Sequence, residues 1–439
     1  MDDTIKTVLS SWIDRKLPPI IPRELPLESY LNTRPRKIIV ITGFRRVGKT
    51  YALLQLLTTL LKKNTRQQEI YINFDDERIP RQTEFLTHLI PKITQTFHQD
   101  IRHLFLDELQ NMPSWSNWLR RIYDTEECGL FVTGSSSKMS SNEIPTELRG
   151  RSLELKLFPL SFREFLRFTN TTIDTTILSY SERQQTELMN KFESYLKLGA
   201  MPEVVLADED KKKEILQQYF GTVVQRDIIE RNHVNNEEGM KAMLRLLLNS
   251  TQYSISRLYD TLKSAHYEIG KTTLLHYLSY VESSYFIHSV PIFSYKIKDQ
   301  LQYPRKVYFI DNGFITSLST RHSQNMGRLY ENLTAIELLR RQKLGNTAIY
   351  YWKDRRGNEV DFLIKDELTV KQLIQVCYDI DDYDTRKREL NALVKASKEV
   401  HCNNLLVLTQ EYEQKEKIKD KTVTFIPLYK WLFSIQNHR

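Results

Sequence analysis

The sequence predicts a multidomain α/β fold, and three observations support this prediction. Four consecutive apolar residues at 38–41 are followed by a glycine-containing loop and then by an apolar helical run from Ala52 to Leu57. Three further apolar runs, at 69–74, 103–106 and 129–132, each lead into polar residues, as strands do at the ligand-binding edge of a parallel sheet. The 439 residues are too many for one ordinary core, so two to four domains are expected.

The composition is that of a globular and mildly basic protein, with a formal charge of +8 and a pI of about 9.0. A basic balance favours nucleic acid or other phosphate-rich partners, although a solvated lysine and arginine surface is the commoner cause. The three cysteines show no metal-ligand spacing and indicate a reducing compartment. The N-terminus does not resemble a signal peptide, and no apolar run is long enough to span a membrane. We therefore expect a cytoplasmic protein without a membrane partner.

The first decisive motif follows the apolar run at 38–41. Gly43, Gly48, Lys49 and Thr50 complete G-x-x-x-x-G-K-[ST] between a strand and a helix, the context that a phosphate-binding loop requires. Lys49 would reach the β- and γ-phosphates, and the Thr50 hydroxyl would hold Mg²⁺. A chance match in a turn is the alternative. The expected ATP contacts are Gly43, Phe44, Arg45, Arg46, Val47, Gly48, Lys49, Thr50 and Tyr51.

Two carboxylates follow the apolar run at 103–106 directly. Asp107 would hold Mg²⁺ through water, and Glu108 would orient and polarise the water that attacks the γ-phosphate. The alternative is an ordinary strand end with two surface acids. The apolar run directly before the two acids, and the distance in sequence between this motif and the glycine loop, favour the catalytic interpretation.

Hydroxyl and arginine side chains complete the predicted catalytic set. Ser135 is the preferred residue to contact the γ-phosphate or hold the attacking water, and Thr133 and Ser136 are close alternatives. An ordinary turn without a catalytic role is the structural alternative. Arg149 or Arg151 would stabilise charge in the transition state, either in cis or from a neighbouring subunit. A structural ion pair is the competing role for either arginine.

Four blocks, ITGFRRVGKTY, LFLDELQNMPSW, VTGSSSKMSSNEIPTELRGRS and FPLSFREFL, together resemble AAA+-type ATPases common in archaea and in some bacteria. Those proteins carry a C-terminal region related to PD-(D/E)XK nucleases. The resemblance covers nearly the whole chain and implies a P-loop NTPase core followed by a helical lid. It also implies a Gly-Gly-x-Pro element near the nucleotide, which here reads Gly199-Ala200-Met201-Pro202 and lacks the second glycine.

The resemblance and the patterns together predict five regions. These are an N-terminal arm (1–35), a P-loop ATPase core (36–157), a helical lid (158–232), a winged helix (233–312) and a restriction-endonuclease-like α/β domain (313–439). Prolines in the arm block regular helix and predict an extended segment. Arg23 lies in this arm, and a surface position is favoured over contact with the nucleotide.

The predicted winged helix presents one helix that would enter a DNA major groove. Its outward side chains would be Lys271, Thr273, His276, Tyr277 and Tyr280, and the basic residues Lys296, Lys298, Arg305 and Lys306 would contact phosphates. Packing of this region between other domains is the alternative.

The C-terminal region resembles a nuclease core with altered chemistry. Glu331 and Asp361 match the first two acidic positions, whereas Gln375 replaces the next acid and Cys377 replaces the lysine. Glu331, Asp361 and Gln375 form a tentative second Mg²⁺ site through oxygen ligands. Without the lysine, little remains to activate water, so weak or absent cleavage is predicted.

Two hypotheses for function follow. In the first, the chain is an ATP-binding, Mg²⁺-dependent ATP-hydrolysing switch that acts on or with DNA. In the second, it is a non-cutting ATPase switch whose C-terminal domains bind a protein partner. A homo-oligomer fits either hypothesis.

Overall fold

The computed structural model describes residues 2–134, 144–174, 181–319, 325–342 and 347–434. The chain forms two compact units, residues 1–157 and 158–439. Within the described ranges, no helix combines the length and the apolar character needed to cross a lipid bilayer.

The first unit is built on a parallel sheet of five strands. The strands are β1 (Ile38–Gly43), β2 (Glu69–Asn73), β3 (His103–Asp107), β4 (Gly129–Thr133) and β5 (Ser152–Leu157). Their order is β2-β3-β4-β1-β5, and every neighbouring pair is parallel. The inner strands are continuous apolar runs because both faces of the sheet are covered. The predicted α/β fold with a parallel-sheet core is thereby confirmed.

Helices cover both faces of this sheet. They are α1 (Asp2–Asp14), α2 (Lys49–Leu60), α3 (Thr83–Phe97), α4 (Trp115–Thr125) and α5 (Ile144–Glu147). One core cluster joins α1, α3 and α4 to the strands through residues such as Ile5, Leu89 and Leu119, which are fully buried. Residues 15–37 form no α-helix and contain only a 3₁₀ turn at Leu27–Asn32.

The second unit begins with helices. They are α6 (Phe162–Phe168), α7 (Glu182–Leu198), α8 (Pro202–Leu206) and α9 (Glu209–Thr222), and α9 continues into a π-helix at Val223–Glu230. Ser161 and Glu164 form a reciprocal capping box that fixes the start of α6. Aromatic residues of α6 and α7 pack together, with the Phe162 ring edge-to-face against Phe192 and tilted against Tyr195.

A three-stranded antiparallel sheet with helices follows. Its elements are α10 (Glu237–Leu248), β6 (Gln252–Tyr253), α11 (Ile255–Ser264), α12 (Lys271–Ser283), β7 (Ile287–Val290), α13 (Ile297–Gln302) and β8 (Arg305–Phe309). The strand order is β6-β8-β7. The two-residue β6 is too short to show periodicity in the sequence.

The C-terminal part contains a mixed six-stranded sheet. Its helices are α14 (Asn312–Leu318), α15 (Met326–Arg341), α16 (Tyr383–Glu399) and α17 (Leu428–Phe433). Its strands are β9 (Thr347–Lys353), β10 (Glu359–Asp366), β11 (Thr369–Val376), β12 (Leu405–Thr409), β13 (Gln414–Ile418) and β14 (Lys421–Pro427). The order is β13-β14-β12-β11-β10-β9, and β12 runs parallel to both of its neighbours.

Candidate active site

The glycine-containing loop joins the carboxyl end of β1 to the first turn of α2. Gly43 and Gly48 have φ angles of 142° and 99°, which favour glycine. A Cβ on Gly43 would lie 2.3 Å from the carbonyl oxygen of Leu157. Phe44 and Val47 are fully buried and anchor the loop in the core, whereas Arg46 and Tyr51 are exposed. The loop thus offers backbone N–H groups at a helix N-terminus, an arrangement that binds phosphate.

Lys49 is the first residue of α2 and only 6% of its surface is exposed. Its Nζ donates to the carbonyl oxygens of Gly43 at 3.1 Å and of Phe44 at 3.2 Å. The ammonium group therefore lies against the inside of the loop, where a phosphate would provide stronger, charged acceptors than these carbonyls.

Asp107 ends β3 at the same edge of the sheet and is 1% exposed. Its carboxylate accepts hydrogen bonds from the hydroxyls of Thr133 and Tyr71 (2.8 Å), and the Thr50 hydroxyl lies near enough to interact with it. Burial raises the pKa of Asp107 above its ordinary value, although the three hydroxyl donors oppose that rise. The carboxylate and the Thr50 hydroxyl are thus adjacent, as the ligands of one divalent cation must be.

Glu108 follows Asp107 with a left-handed backbone, at φ 54°. Its N–H donates to the Thr133 hydroxyl oxygen at 3.0 Å, and Gln110 donates to its carboxylate. Thr133 therefore joins the ends of β3 and β4 by accepting from Glu108 and donating to Asp107. The preferred hydroxyl residue, Ser135, lies outside the described residues, as does Ser136.

The N-terminal arm reaches the glycine loop. Arg23 is 8% exposed, and its Nη1 donates to the carbonyl oxygen of Val47 at 3.0 Å. Its backbone exchanges two hydrogen bonds with the side chain of Gln55 in α2, at 2.8 and 3.0 Å. The favoured surface position for Arg23 was wrong, because the arm folds back onto the loop and buries the guanidinium group there.

The two candidate arginines lie at the other edge of the sheet. Arg149 and Arg151 precede β5, and the carbonyl of Arg151 accepts from the N–H of Ile38 at the start of β1. β1 and β5 are parallel and six residues long, so these arginines are separated from the glycine loop by roughly 20 Å of strand. Arg151 pairs with Asp124 at 3.1 Å, and Arg149 is exposed. Neither arginine contacts the loop of its own chain.

The C-terminal candidates meet around a lysine. Glu331 in α15 and Asp361 in β10 both bind the Nζ of Lys306, each at 2.8 Å, and Glu359 binds it at 2.9 Å. Burial disfavours a charged Lys306, but the surrounding carboxylates outweigh it and raise the pKa of Lys306 well above its ordinary value. Lys306 was predicted to contact DNA phosphates; this was wrong, because its side chain is 3% exposed and fully engaged.

Gln375 is also engaged within the fold. Its Oε1 accepts from the N–H of Asp361 at 3.2 Å, and its Nε2 donates to Glu389. Glu331, Asp361 and Gln375, the predicted ligands of a second Mg²⁺ site, are therefore not brought together around an open position. In the described part of the chain, no group of three histidine, cysteine, aspartate or glutamate side chains has an arrangement suited to a metal ion.

Comparison with known proteins identifies the first unit. Residues 35–166 match the AAA domain family, and residues 189–325 and 326–431 match two domains of unknown function, DUF8612 and DUF4143. Uncharacterized protein MJ1544 of Methanocaldococcus jannaschii is 37% identical over 406 residues, covering 90% of this chain and 88% of that protein. The chain belongs to the family of MJ1544. Its AAA domain is the ATPase domain that the four sequence blocks predicted.

More distant similarities are found among proteins and solved structures. An uncharacterized protein of Haemophilus influenzae is 28% identical over 409 residues, covering 90% of this chain and 95% of that protein. Among solved structures, the Walker-type ATPase PABY2304 of Pyrococcus abyssi aligns with a TM-score of 0.45 and 16% identity, covering 69% of this chain and 99% of that one.

Outside the AAA domain, the structure gives the Gly199–Pro202 element a clear partner. The N–H of Ala200 donates to Asp311 at 2.6 Å, and the N–H of Gly313 donates to the same carboxylate at 2.8 Å. A Cβ on Gly199 would lie 1.8 Å from the Asp311 carboxylate, so the first glycine is required by this contact. The element was expected near the nucleotide; within its own unit, it caps the Asp311 side chain at the start of α14.

The helix that was predicted to meet DNA is only partly outward. Lys271, Thr273 and His276 of α12 are exposed. Tyr277 is only 4% exposed and points into the region 233–312, where its hydroxyl donates to the carbonyl of Asn236 at 3.4 Å. The helical period places Tyr277 beside the buried Leu274 and Leu278, a signal that the sequence contained.

Proposed function

We propose that this AAA-domain protein is a Mg²⁺-dependent ATP-hydrolysing switch that acts on or with DNA. One observation carries the ATPase part. The Asp107 carboxylate accepts a hydrogen bond from the Thr133 hydroxyl and lies beside the Thr50 hydroxyl, at the edge of the sheet where the glycine loop lies. Parallel sheets bind ligands at this edge.

ATP binding would redirect Lys49. Its ammonium group would exchange the carbonyls of Gly43 and Phe44 for the β- and γ-phosphates, while the loop N–H groups hold the chain of phosphates. Glu108 would orient the attacking water. The Gln110 hydrogen bond holds the Glu108 carboxylate in place before substrate arrives.

The residues at this site fit a magnesium ion. The Thr50 hydroxyl and the Asp107 carboxylate are hard oxygen ligands that lie beside each other. Bound Mg²⁺ would neutralise charge on the phosphates. Because burial raises the pKa of Asp107, a cation beside this carboxylate would also favour its ionised form.

An arginine for the transition state would come from a second copy of the chain. Arg149 and Arg151 lie at the sheet edge opposite the glycine loop. One copy therefore cannot bring either arginine to its own γ-phosphate without refolding β5. Arg149 is the better candidate, since it is exposed while Arg151 already pairs with Asp124. A γ-phosphate shared between copies would couple hydrolysis to assembly.

The DNA part of the proposal rests on the module at 233–312, which has the helix and strand order of a winged helix. Its strand side is covered, because Lys306 of β8 is buried against α15 and β10. Its helix side displays Lys271, Thr273 and His276, together with Lys263 of α11, which suit a duplex backbone and groove.

A protein partner is the second candidate function, and a different surface favours it. Tyr295, Ile297, Leu301 and Tyr303 on and around α13 are 51–77% exposed and lie within nine residues of one another. Clustered exposed apolar side chains are typical of protein interfaces rather than of free surface.

ATP hydrolysis measured with and without duplex or single-stranded DNA tests the proposal, with Glu108→Gln as the inactive blank. We expect DNA to stimulate hydrolysis and Lys271→Ala to abolish the stimulation. Lys387→Ala is a matched control, because Lys387 and Lys271 each lie over a tyrosine ring, at 5.5 and 5.2 Å. A rate that DNA leaves unchanged, with no salt-sensitive DNA binding, would refute the DNA role and favour the protein partner.

A further inference from the structure

The buried cluster around Lys306 has the composition of a cation site. Oxygen atoms of Glu331, Glu359 and Asp361 surround the Nζ of Lys306 at 2.8, 2.9 and 2.8 Å. An ammonium group has three N–H donors, so these three carboxylates satisfy it completely. The aromatic ring of Tyr351 lies 5.8 Å from the same nitrogen.

The carboxylates come from elements that are distant in sequence. Glu331 lies on α15, and Glu359 and Asp361 lie on β10, while Lys306 enters from β8 of the three-stranded sheet. Tyr308, two residues after Lys306 on the same strand, donates to Glu331 at 2.7 Å. The cluster is therefore formed by tertiary packing and is fixed on regular elements rather than on a loop.

The charges of the cluster require a cation at its centre. Three carboxylates face two ammonium groups, since Lys353 also binds Glu359 at 2.8 Å from the solvent side. Only Lys306 is enclosed, with 3% of its side chain exposed against 38% for Lys353. Removing the Lys306 ammonium would leave three buried or half-buried carboxylates without a central counter-charge, at a high cost in free energy.

We propose that the Lys306 ammonium is a built-in cation that takes the place of a divalent ion between Glu331, Glu359 and Asp361. The C-terminal α/β region then binds no metal at this position and does not cleave nucleic acid there. With the amine in place these carboxylates are not arranged as metal ligands, but removing the amine should let them close on a divalent ion. Divalent ions bind oxygen at about 2.0–2.6 Å, so the carboxylates need to close in by only about half an ångström.

Neighbouring residues support the assignment. Lys306 fills the position between the carboxylates and is saturated by them. Cys377 is 4% exposed, and burial raises the pKa of its thiol to about 12, so the thiol is neutral and supplies no positive charge. The Oε1 of Gln375 already accepts from the backbone of Asp361.

Manganese binding by the full-length, nucleotide-free protein tests the proposal. Free Mn²⁺ is measured by its electron paramagnetic resonance signal, for the wild type, Asp361→Asn, Lys306→Met and Lys306→Met combined with Asp361→Asn. We expect the wild type to show no uptake that depends on Asp361. Lys306→Met should bind about one ion per chain at least about tenfold more tightly, and the added Asp361→Asn should abolish this binding. Dependence on Asp361 separates this site from the ATP site.

Thermal unfolding gives a second readout. Lys306→Met should melt below the wild type and be restored by Mn²⁺, because an ion that binds only the folded state stabilises it. Lys353→Met is the matched control, since it removes the solvent-side lysine and leaves Lys306 in place; Mn²⁺ should not change its melting temperature. If Lys306→Met does not fold alone, refolding with Mn²⁺ should recover it.

Three results would overturn the proposal. The first is Mn²⁺ uptake by the wild type that Asp361→Asn abolishes. The second is nicking of supercoiled DNA by the wild type in Mn²⁺ that the same substitution abolishes. The third is a Lys306→Met protein that folds but binds no Mn²⁺, or one that fails to fold even when Mn²⁺ is present.

Discussion

Thr133 provides the sharpest test of how the catalytic edge of the AAA domain is held together. Its side chain is fully buried, donates to the Asp107 carboxylate and accepts from the Glu108 N–H at 3.0 Å. Valine has the same shape but makes neither bond. A hydrogen bond to a charged group contributes about 1.5–3 kcal/mol and a neutral one about 0.5–1.5 kcal/mol. Thr133→Val should therefore destabilise the first unit by about 2–4 kcal/mol, with no compensating gain.

A second effect follows from the charge on Asp107. The Thr133 hydroxyl is one of the donors that oppose the rise in the pKa of Asp107, so its loss should raise that pKa further. Mg²⁺ binds the ionised carboxylate, and Thr133→Val should therefore require more Mg²⁺ for ATP hydrolysis and show a larger loss at low pH. Thr133→Ser keeps the hydroxyl and is the control.

Melting temperature and the Mg²⁺ dependence of ATP hydrolysis are the two measurements. For a unit of this size, the expected destabilisation lowers the melting temperature by roughly 5–15 °C. A valine variant as stable as the wild type, with the same Mg²⁺ dependence, would show that Thr133 does not organise Asp107 and Glu108.

Two further predictions use other parts of the chain. Glu108→Gln and Arg149→Ala chains should each be inactive, and an equal mixture should regain about a quarter of the wild-type ATPase rate, because random neighbours then form intact sites. Arg151→Ala is the control: because Arg151 already pairs with Asp124, this variant should be active without a second chain type. A mixture of the first two variants that shows no activity would exclude an arginine supplied by a second copy. For Asp311, burial raises the pKa to about 6 from 3.8, despite two backbone donors. The folded state thus holds this proton more tightly than the unfolded state, so the stabilisation is complete below about pH 4 and is lost as pH rises through 6. Melting curves across this range should show the slope in the wild type and in Asp381→Asn, but not in Asp311→Asn.

The contiguous part of the ATP site could be predicted because its geometry is local. A strand, a glycine loop and a helix follow one another between Ile38 and Leu57, and the glycine positions dictate the turn between them. Asp107 could also be placed, since the carboxyl ends of parallel strands meet at one edge whatever the order of the strands.

Contacts between residues distant in sequence, whether made by the arm or between neighbouring strands, could not be predicted. Arg23 binds a carbonyl 24 residues away and Tyr71 binds Asp107 36 residues away, and no periodic pattern specifies either pairing. The prolines indicated an extended arm but not the surface against which it lies. Arg23 was therefore assigned to the surface, although its burial is set by the position of Gln55 on α2.

Lys306 shows a different limit of sequence patterns. The pattern around Lys306 predicts a phosphate contact, because Lys306 lies in a short strand among other basic residues. Its acidic partners lie 25 to 55 residues further along the chain, where no local pattern indicates them. A signal was present in the apolar neighbours of Lys306, since β8 is buried from Lys306 to Phe309. A lysine inside a strand covered on both faces needs a buried counter-charge, and among the described residues Glu331, Glu359 and Asp361 meet that need.

The Lys306 cluster also constrains how the second unit can respond to any change. It ties β8 of the three-stranded sheet to α15 and β10, and Gln252 of β6 donates to Glu359 at 3.0 Å. The N–H of Phe293 donates to the carbonyl of Tyr351 at 2.6 Å, which adds a backbone link between the same two sheets. Separating them would expose buried charges and break these bonds together, whereas moving them as one body breaks none. We therefore expect α12 and the C-terminal sheet to move together in any nucleotide-driven step, so that a partner bound to one constrains the other.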